Sequence, residues 1–181
     1  MSEEDTSGSC FCYTFTVNPR ENNFAYIDGA NLHKGILELG WRLDYRRFRV
    51  FLRDKYAVNK AYIFLGFIPT NVHLYRDLQN MGYTIVFKPT LPDGKGEIKG
   101  NCDEEMVLQA VSDMYEHAYD KAVLITGDGD FACLVNFLQE KNRLRALLSP
   151  NHKKASVLLR KAVPNSIFFL ERFRNKLEYR K

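Results

Sequence analysis

The chain has 181 residues, 45% hydrophobic and 27% charged, with a formal net charge of +4; this length accommodates one domain with enough apolar residues to cover a sheet on both faces, and excludes a second domain of ordinary size. Acidic residues gather at the N-terminus and basic ones elsewhere, so the folded part is more basic than the whole, which is compatible with a polyanionic partner and equally with an ordinary soluble surface. The four cysteines, Cys10, Cys12, Cys102 and Cys133, lack the spacing of a secreted disulfide framework or a zinc ribbon, and Met1-Ser2-Glu3-Glu4-Asp5 begins with neither a basic start nor an apolar run, so the expectation is a cytoplasmic protein with reduced thiols and no membrane partner.

In chain order, residues 1–22 read as an arm, polar at first and then alternating like a short strand from Phe11 to Val17. From Phe24 onward, short apolar runs alternate with segments of helical period, the pattern of a parallel sheet with crossover helices. Strands are expected at Phe24–Asp28, Ala61–Phe67, Thr84–Lys88, Ala122–Thr126, Leu144–Ser149 and Ser166–Leu170. Helices are expected at Asn31–Leu39, Tyr45–Tyr56, Val72–Met81, Glu104–Ala118, Phe131–Lys141 and Lys153–Ala162. Between them, Pro89–Gly100 is rich in turn formers and basic groups and reads as a flexible loop. The domain is thus predicted over residues 23–171, followed by a basic extension over 172–181.

The acidic residues give this α/β chain its candidate chemistry. In an open parallel sheet, ligands bind outside the carboxyl ends of the strands where the strand order reverses. The first predicted strand delivers Asp28 to that edge, followed by Gly29-Ala30-Asn31, and the fourth delivers Thr126-Gly127-Asp128-Gly129-Asp130. Asp103 opens a helix whose apolar stripe is Met106, Val107, Ala110, Val111 and Met114, so it lies on the side that faces the sheet. Like charges brought together this way raise one another's pKa or need a cation between them. Carboxylates are the hard oxygen ligands that Mg2+ or Mn2+ prefers. Each acid also has a plainer reading: Asp28 and Asp103 as helix caps, and Gly127-Asp128-Gly129-Asp130 as a turn.

Three stretches in this order, Ile27-Asp28-Gly29-Ala30-Asn31-Leu32, Lys99-Gly100-Asn101-Cys102-Asp103 and Thr126-Gly127-Asp128-Gly129-Asp130-Phe131, resemble the NYN domain, a branch of the PIN-like nucleases. The resemblance runs from about Phe24 to Leu170. It implies a Rossmann-like, three-layer α/β sandwich whose acidic pocket binds Mg2+ or Mn2+ and hydrolyses phosphodiester bonds, usually in RNA. The matching positions are Asp28, Asn31, Asp103, Asp128 and Asp130; Gly129 stands where many members carry serine. On this basis Asp28, Asp103, Asp128 and Asp130 are the expected catalytic residues. Asp28, Asp103 and Asp128 are the expected ligands of one or two ions that activate a water and polarise the scissile phosphate, and Asp130 orients that water.

Asn31, Lys34, Lys99 and Thr126 are the expected substrate contacts, with Lys95 nearby and RNA as the expected partner. Asn31 has the alternative role of capping the first helix. The arginine-rich helix carrying Arg42, Arg46, Arg47, Arg49 and Arg53 is either a nucleic-acid surface or a solvated face, and its Tyr45, Phe48, Phe51 and Leu52 read as core. His33, His73, His117 and His152 show no metal-binding spacing and form no triad. Two other functions compete: a non-catalytic RNA-binding module, and a magnesium-dependent phosphatase with Asp28 as nucleophile. The usual partner acid of that phosphatase would fall on Ala30. A homodimer is compatible with the sequence.

Overall fold

A computed structural model describes residues 21–88, 91–92, 98–99 and 102–180, the two short pieces through their backbone alone. The alternating stretch Phe11–Val17 and the basic Lys95 lie outside the described residues, as does the side chain of Lys99. The first half runs β1 (Asn23–Asp28), α1 (Gly29–Leu37), α2 (Tyr45–Tyr56), β2 (Val58–Gly66), α3 (Val72–Asn80), β3 (Tyr83–Lys88). The short strands β4 (Leu91–Pro92) and β5 (Ile98–Lys99) pair antiparallel inside the segment expected to be a loop. The second half runs α4 (Asp103–Tyr115), β6 (Ala122–Ile125), α5 (Ala132–Glu140), β7 (Leu144–Ser149), α6 (Val157–Ala162), β8 (Ile167–Phe169), α7 (Arg174–Leu177).

Six strands form one sheet in the order β3-β2-β1-β6-β7-β8, and every neighbouring pair is parallel. The chain winds outward from β1 through β2 to β3, crosses over to β6, and winds outward the other way. The order therefore reverses between β1 and β6. Right-handed crossovers in opposite directions put helices on opposite faces. One core joins Leu32, Phe48, Leu78 and Leu177 to Ile27 and Ile63 of the sheet; the other joins Met106, Ala110, Leu134 and Leu159 to Tyr26 and Leu124. Alternation along a strand sends Tyr26 to one core and Ile27 to the other, which is why the central strands read as continuous apolar runs.

At two helix starts that differ from expectation, a side-chain bond accounts for the shift. The first helix starts at Gly29 because Asp28 caps it, accepting from Asn31 N at 3.0 Å. The sixth starts at Val157, four residues late, because Asn151 Oδ1 takes the Lys153 amide at 2.9 Å and folds the chain into a turn before Ser156 caps the helix. In α2 the apolar positions Phe48 and Leu52 are fully buried, in keeping with a core face. Arg49 is not a free surface charge: its guanidinium donates to the carbonyls of Gly82, Val58 and Asn59 at 3.1, 3.1 and 2.7 Å, tying α2 to the starts of β2 and β3.

The described part of the basic extension is not detached. Leu177 is fully buried in the core, Tyr179 N donates to Arg42 O at 2.8 Å, and Glu178 bridges Leu43. Among the described residues, no helix is long and apolar enough to cross a membrane.

Candidate functional site

The reversal between β1 and β6 brings together the ends of two strands far apart in sequence. Asp28 closes β1, and Thr126 follows β6. Thr126 Oγ1 donates to Asp28 Oδ2 at 3.2 Å and accepts from Asp128 N at 3.1 Å, so one fully buried hydroxyl joins the two acidic segments. Asn31 makes the second link: its Oδ1 accepts from Gly127 N at 2.8 Å. It does not cap α1. That role falls to Asp28, whose other oxygen takes the Asn31 amide. A carboxylate that caps a helix and also faces the crevice combines the two readings the sequence left open.

Asp128 likewise serves a local and a collective purpose. It caps the 3-10 turn Gly129–Phe131, accepting from Asp130 N at 3.1 Å, and this bond folds Asp130 back towards it. Carboxylate oxygens of Asp103, Asp128 and Asp130 lie within 4.8 Å of one another. Asp103 reaches them from the first turn of α4, where it makes no capping bond as N-cap: the position before the helix is Cys102. Beside it, Lys88 at the end of β3 pairs with Glu104 at 2.7 Å and Glu105 at 3.5 Å. Among the described residues, neither Asp128 nor Asp130 has a lysine or arginine partner. Around one octahedral cation bound at about 2.1 Å, adjacent oxygens lie about 3.0 Å apart and opposed ones about 4.2 Å. The trio offers three hard oxygen donors of the kind a divalent ion takes, and holding one ion would draw them closer together.

Asp28 lies outside that trio, and each of its oxygens accepts one hydrogen bond, from Asn31 N and Thr126 Oγ1, but it feels the cluster. Burial first, and then the negative charges of Asp103 and Asp128, push its carboxyl up from 3.8 to about 6, against the lowering effect of the bonds from Asn31 and Thr126. A folded-state value above the unfolded one means that the folded protein holds this proton more tightly. The resulting stability is complete below about pH 4 and is lost as pH rises through about 6. A shift of this size is worth at most about 3 kcal/mol, and partial exposure reduces it to about 1–2 kcal/mol. In chelator, the melting temperature of Asp28→Asn minus that of the native chain is expected to grow by several degrees between pH 4.5 and 7.5, at about 2–4 °C per kcal/mol. A difference that stays constant across this range would remove Asp28 as the cause.

Gly129 has a packing reason to lack a side chain: a Cβ there would stand 2.5 Å from Ser156 Oγ. Lys34, an expected substrate contact, is exposed on α1 and lines a cavity next to Asn31 and Gly127. His33 is exposed in the same helix. Sequence reasoning passed over Ser149 and Lys154 in that cavity; they sit at the end of β7 and just beyond it, and no motif marks them.

The NYN domain profile matches residues 24–171. Low amplitude and bright protein LabA of Synechococcus elongatus is 30% identical over 125 residues, which is 64% of this chain and 67% of that protein. A crystal structure of a protein of unknown function from Vibrio parahaemolyticus superimposes with a TM-score of 0.71 at 19% identity, covering 91% of this chain and 100% of the other. This last likeness concerns the fold.

Proposed function

The chain belongs to the NYN domain family, and from that premise we propose that it is a divalent-metal-dependent endoribonuclease cutting RNA at the crevice between β1 and β6. The observation that carries this reading is the meeting of Asp103, Asp128 and Asp130 within 4.8 Å at the point where the strand order reverses. Asp103 and Asp128 are common to this trio and to the ligand set expected from the sequence. They are the central ligands, with Asp130 on one side and Asp28 on the other.

A magnesium or manganese ion held there would supply Lewis acidity and a water of lowered pKa. The chain's own residues do the positioning. Thr126 holds the Asp28 carboxylate and the Asp128 backbone in fixed relation, and Asn31 locks the ends of β1 and β6 together through Gly127. Asp130 is exposed at the rim, where its free oxygen can orient the attacking water. Lys34 and Lys99 are the proposed contacts to the RNA backbone, which they position without reading its sequence.

The test is incubation of labelled single-stranded RNA, structured RNA and DNA with the protein in magnesium, manganese or chelator. Internal cleavage of RNA that needs the ion is the expected result. Retention of RNA without products would replace the nuclease with a binding module. Release of phosphate from small esters would favour a phosphatase, for which Asp28 is poorly set, since both its oxygens already accept hydrogen bonds and Ala30 offers no acid.

A further inference from the structure

On the α1 side of the Thr126–Gly127 turn, away from α4, lies a second, polar cavity of about 180 Å³ whose lining includes Asn31, Lys34, Glu38, Gly127, Ser149 and Lys154. Two glycines set its shape. A Cβ on Gly35 would stand 2.8 Å from Pro150 Cβ, so its absence lets α1 close onto the loop after β7 and brings Lys34 and Lys154 to the same opening. A Cβ on Gly127 would stand 3.0 Å from Ser149 Oγ and 3.4 Å from Asn31 Oδ1, within the cavity wall.

The lining is rich in donors. Lys34 and Lys154 are exposed, and their ammonium groups form no ion pair or hydrogen bond among the described residues. The Gly127 amide fixes the Asn31 side chain with its oxygen inward on the turn, which leaves the Asn31 Nδ2 donor without a partner among the described residues. Ser149 is fully buried, and its hydroxyl makes only a long 3.5 Å donation to Asn151 O. Glu38 is the one acid in the lining, so the two lysines leave a net positive charge. The cavity has room for a tetrahedral oxyanion together with waters.

We propose that this cavity is a phosphate subsite, in which Lys34, Lys154, Asn31 Nδ2 and Ser149 hold an RNA phosphate next to the one being cut. The inference rests on the RNA reading above and specifies how the strand is held. Asn31 belongs to the turn that Asp28 caps, and Gly127 directly precedes Asp128. The cavity and the acidic cluster therefore share the Thr126–Asp128 turn as a wall, so that one strand can reach both. Attraction on one side of the wall offsets the repulsion that the acids exert on a polyanion.

The experiment measures binding of labelled single-stranded RNA across a range of salt, in an Asp128→Asn background with magnesium so that no turnover interferes. The double variant Lys34→Ala/Lys154→Ala is compared with Lys141→Ala/Lys161→Ala, which removes two exposed lysines, one just after α5 and one in α6, outside the cavity lining. The cavity pair is expected to weaken binding about tenfold and to flatten the dependence of log K on log salt by about 0.7, the effect of one lost phosphate contact. The control pair is expected to change affinity less than about twofold. Oligonucleotides with a 5′-hydroxyl and a 5′-phosphate separate the sources: equal losses assign an internal phosphate, and a loss confined to the second assigns a terminal one. Equal weakening by both pairs, or none by the cavity pair, overturns the subsite even if the native chain cuts RNA. Binding without cutting would remove the nuclease reading while leaving the subsite measurable, and no RNA binding at all would end both.

Discussion

Replacing Asp128 with asparagine is expected to lower RNA cleavage by about 10³-fold, about 4 kcal/mol of transition-state stabilisation, while leaving the fold in place. The asparagine oxygen can still accept from Asp130 N and so keep the cap of the Gly129–Phe131 turn. What is lost is one of the three negative charges that would share a cation in the proposed centre. Two measurements check this together: titration calorimetry with magnesium or manganese, in which the variant should bind at least tenfold more weakly, and single-turnover cleavage at saturating RNA. Because Asp128→Asn relieves repulsion on Asp28, its melting temperature in chelator should be no lower than that of the native chain. If the variant cut RNA at more than about a tenth of the native rate, the acidic cluster would not be the reaction centre.

The second large effect falls on a residue with no chemistry of its own. Gly29→Ala is expected to cost about 2–3 kcal/mol and to lower the melting temperature by about 5–10 °C. A methyl group at position 29 would overlap Leu65 Cδ2 and stand 2.9 Å from Phe64 O. The leucine can turn aside, but the carbonyl is backbone of β2, a strand paired on both sides, by β1 and β3. Relief therefore requires α1 to lift from the sheet, which carries Asp28 and Asn31 with it and should reduce cleavage as well as stability. Gly127→Ala is the informative comparison, because its nearest neighbour is the Ser149 hydroxyl at 3.0 Å, a group that can rotate. A melting temperature for Gly29→Ala within 1 °C of the native value would show that α1 is not pinned at this point.

Much of this was legible in the sequence because strands covered on both faces are apolar throughout and end abruptly. Ala25-Tyr26-Ile27-Asp28 and Leu124-Ile125-Thr126-Gly127-Asp128 each drop from buried to polar at the strand edge where parallel sheets bind ligands. The α/β alternation follows from that pattern; that β1 and β6 are neighbours, with β1 inside the sheet, is set by long-range pairing that the sequence leaves conditional. The tight partner of those two, Asp130, depends on a hydrogen bond inside a three-residue turn, which no periodicity encodes. The role of Asn31 as a tie to Gly127 depends on a residue 96 positions away. Nor did composition distinguish Arg49, which spends its charge on three backbone carbonyls, from the exposed arginines of the same helix. Leu177 was hidden for a different reason: with Phe173 it makes a single i, i+4 pair among charged residues, too short a pattern to mark a helix, yet it completes a core.

The hydroxyl of Thr126 joins Asp28 across a separation of 98 residues, and the two strands of the main sheet that come between β1 and β6 in sequence, β2 and β3, lie together on one side of β1. A nascent chain leaving the ribosome can therefore complete β1, β2 and β3 and bury much of their apolar surface while carrying Asp28 alone. Until α4 and β6 are synthesised and docked, it has no place to gather a cation. Products of premature termination, and proteolytic fragments from either half, would lack the assembled acidic cluster. The proposed cutting centre exists only once both halves of the sheet have docked.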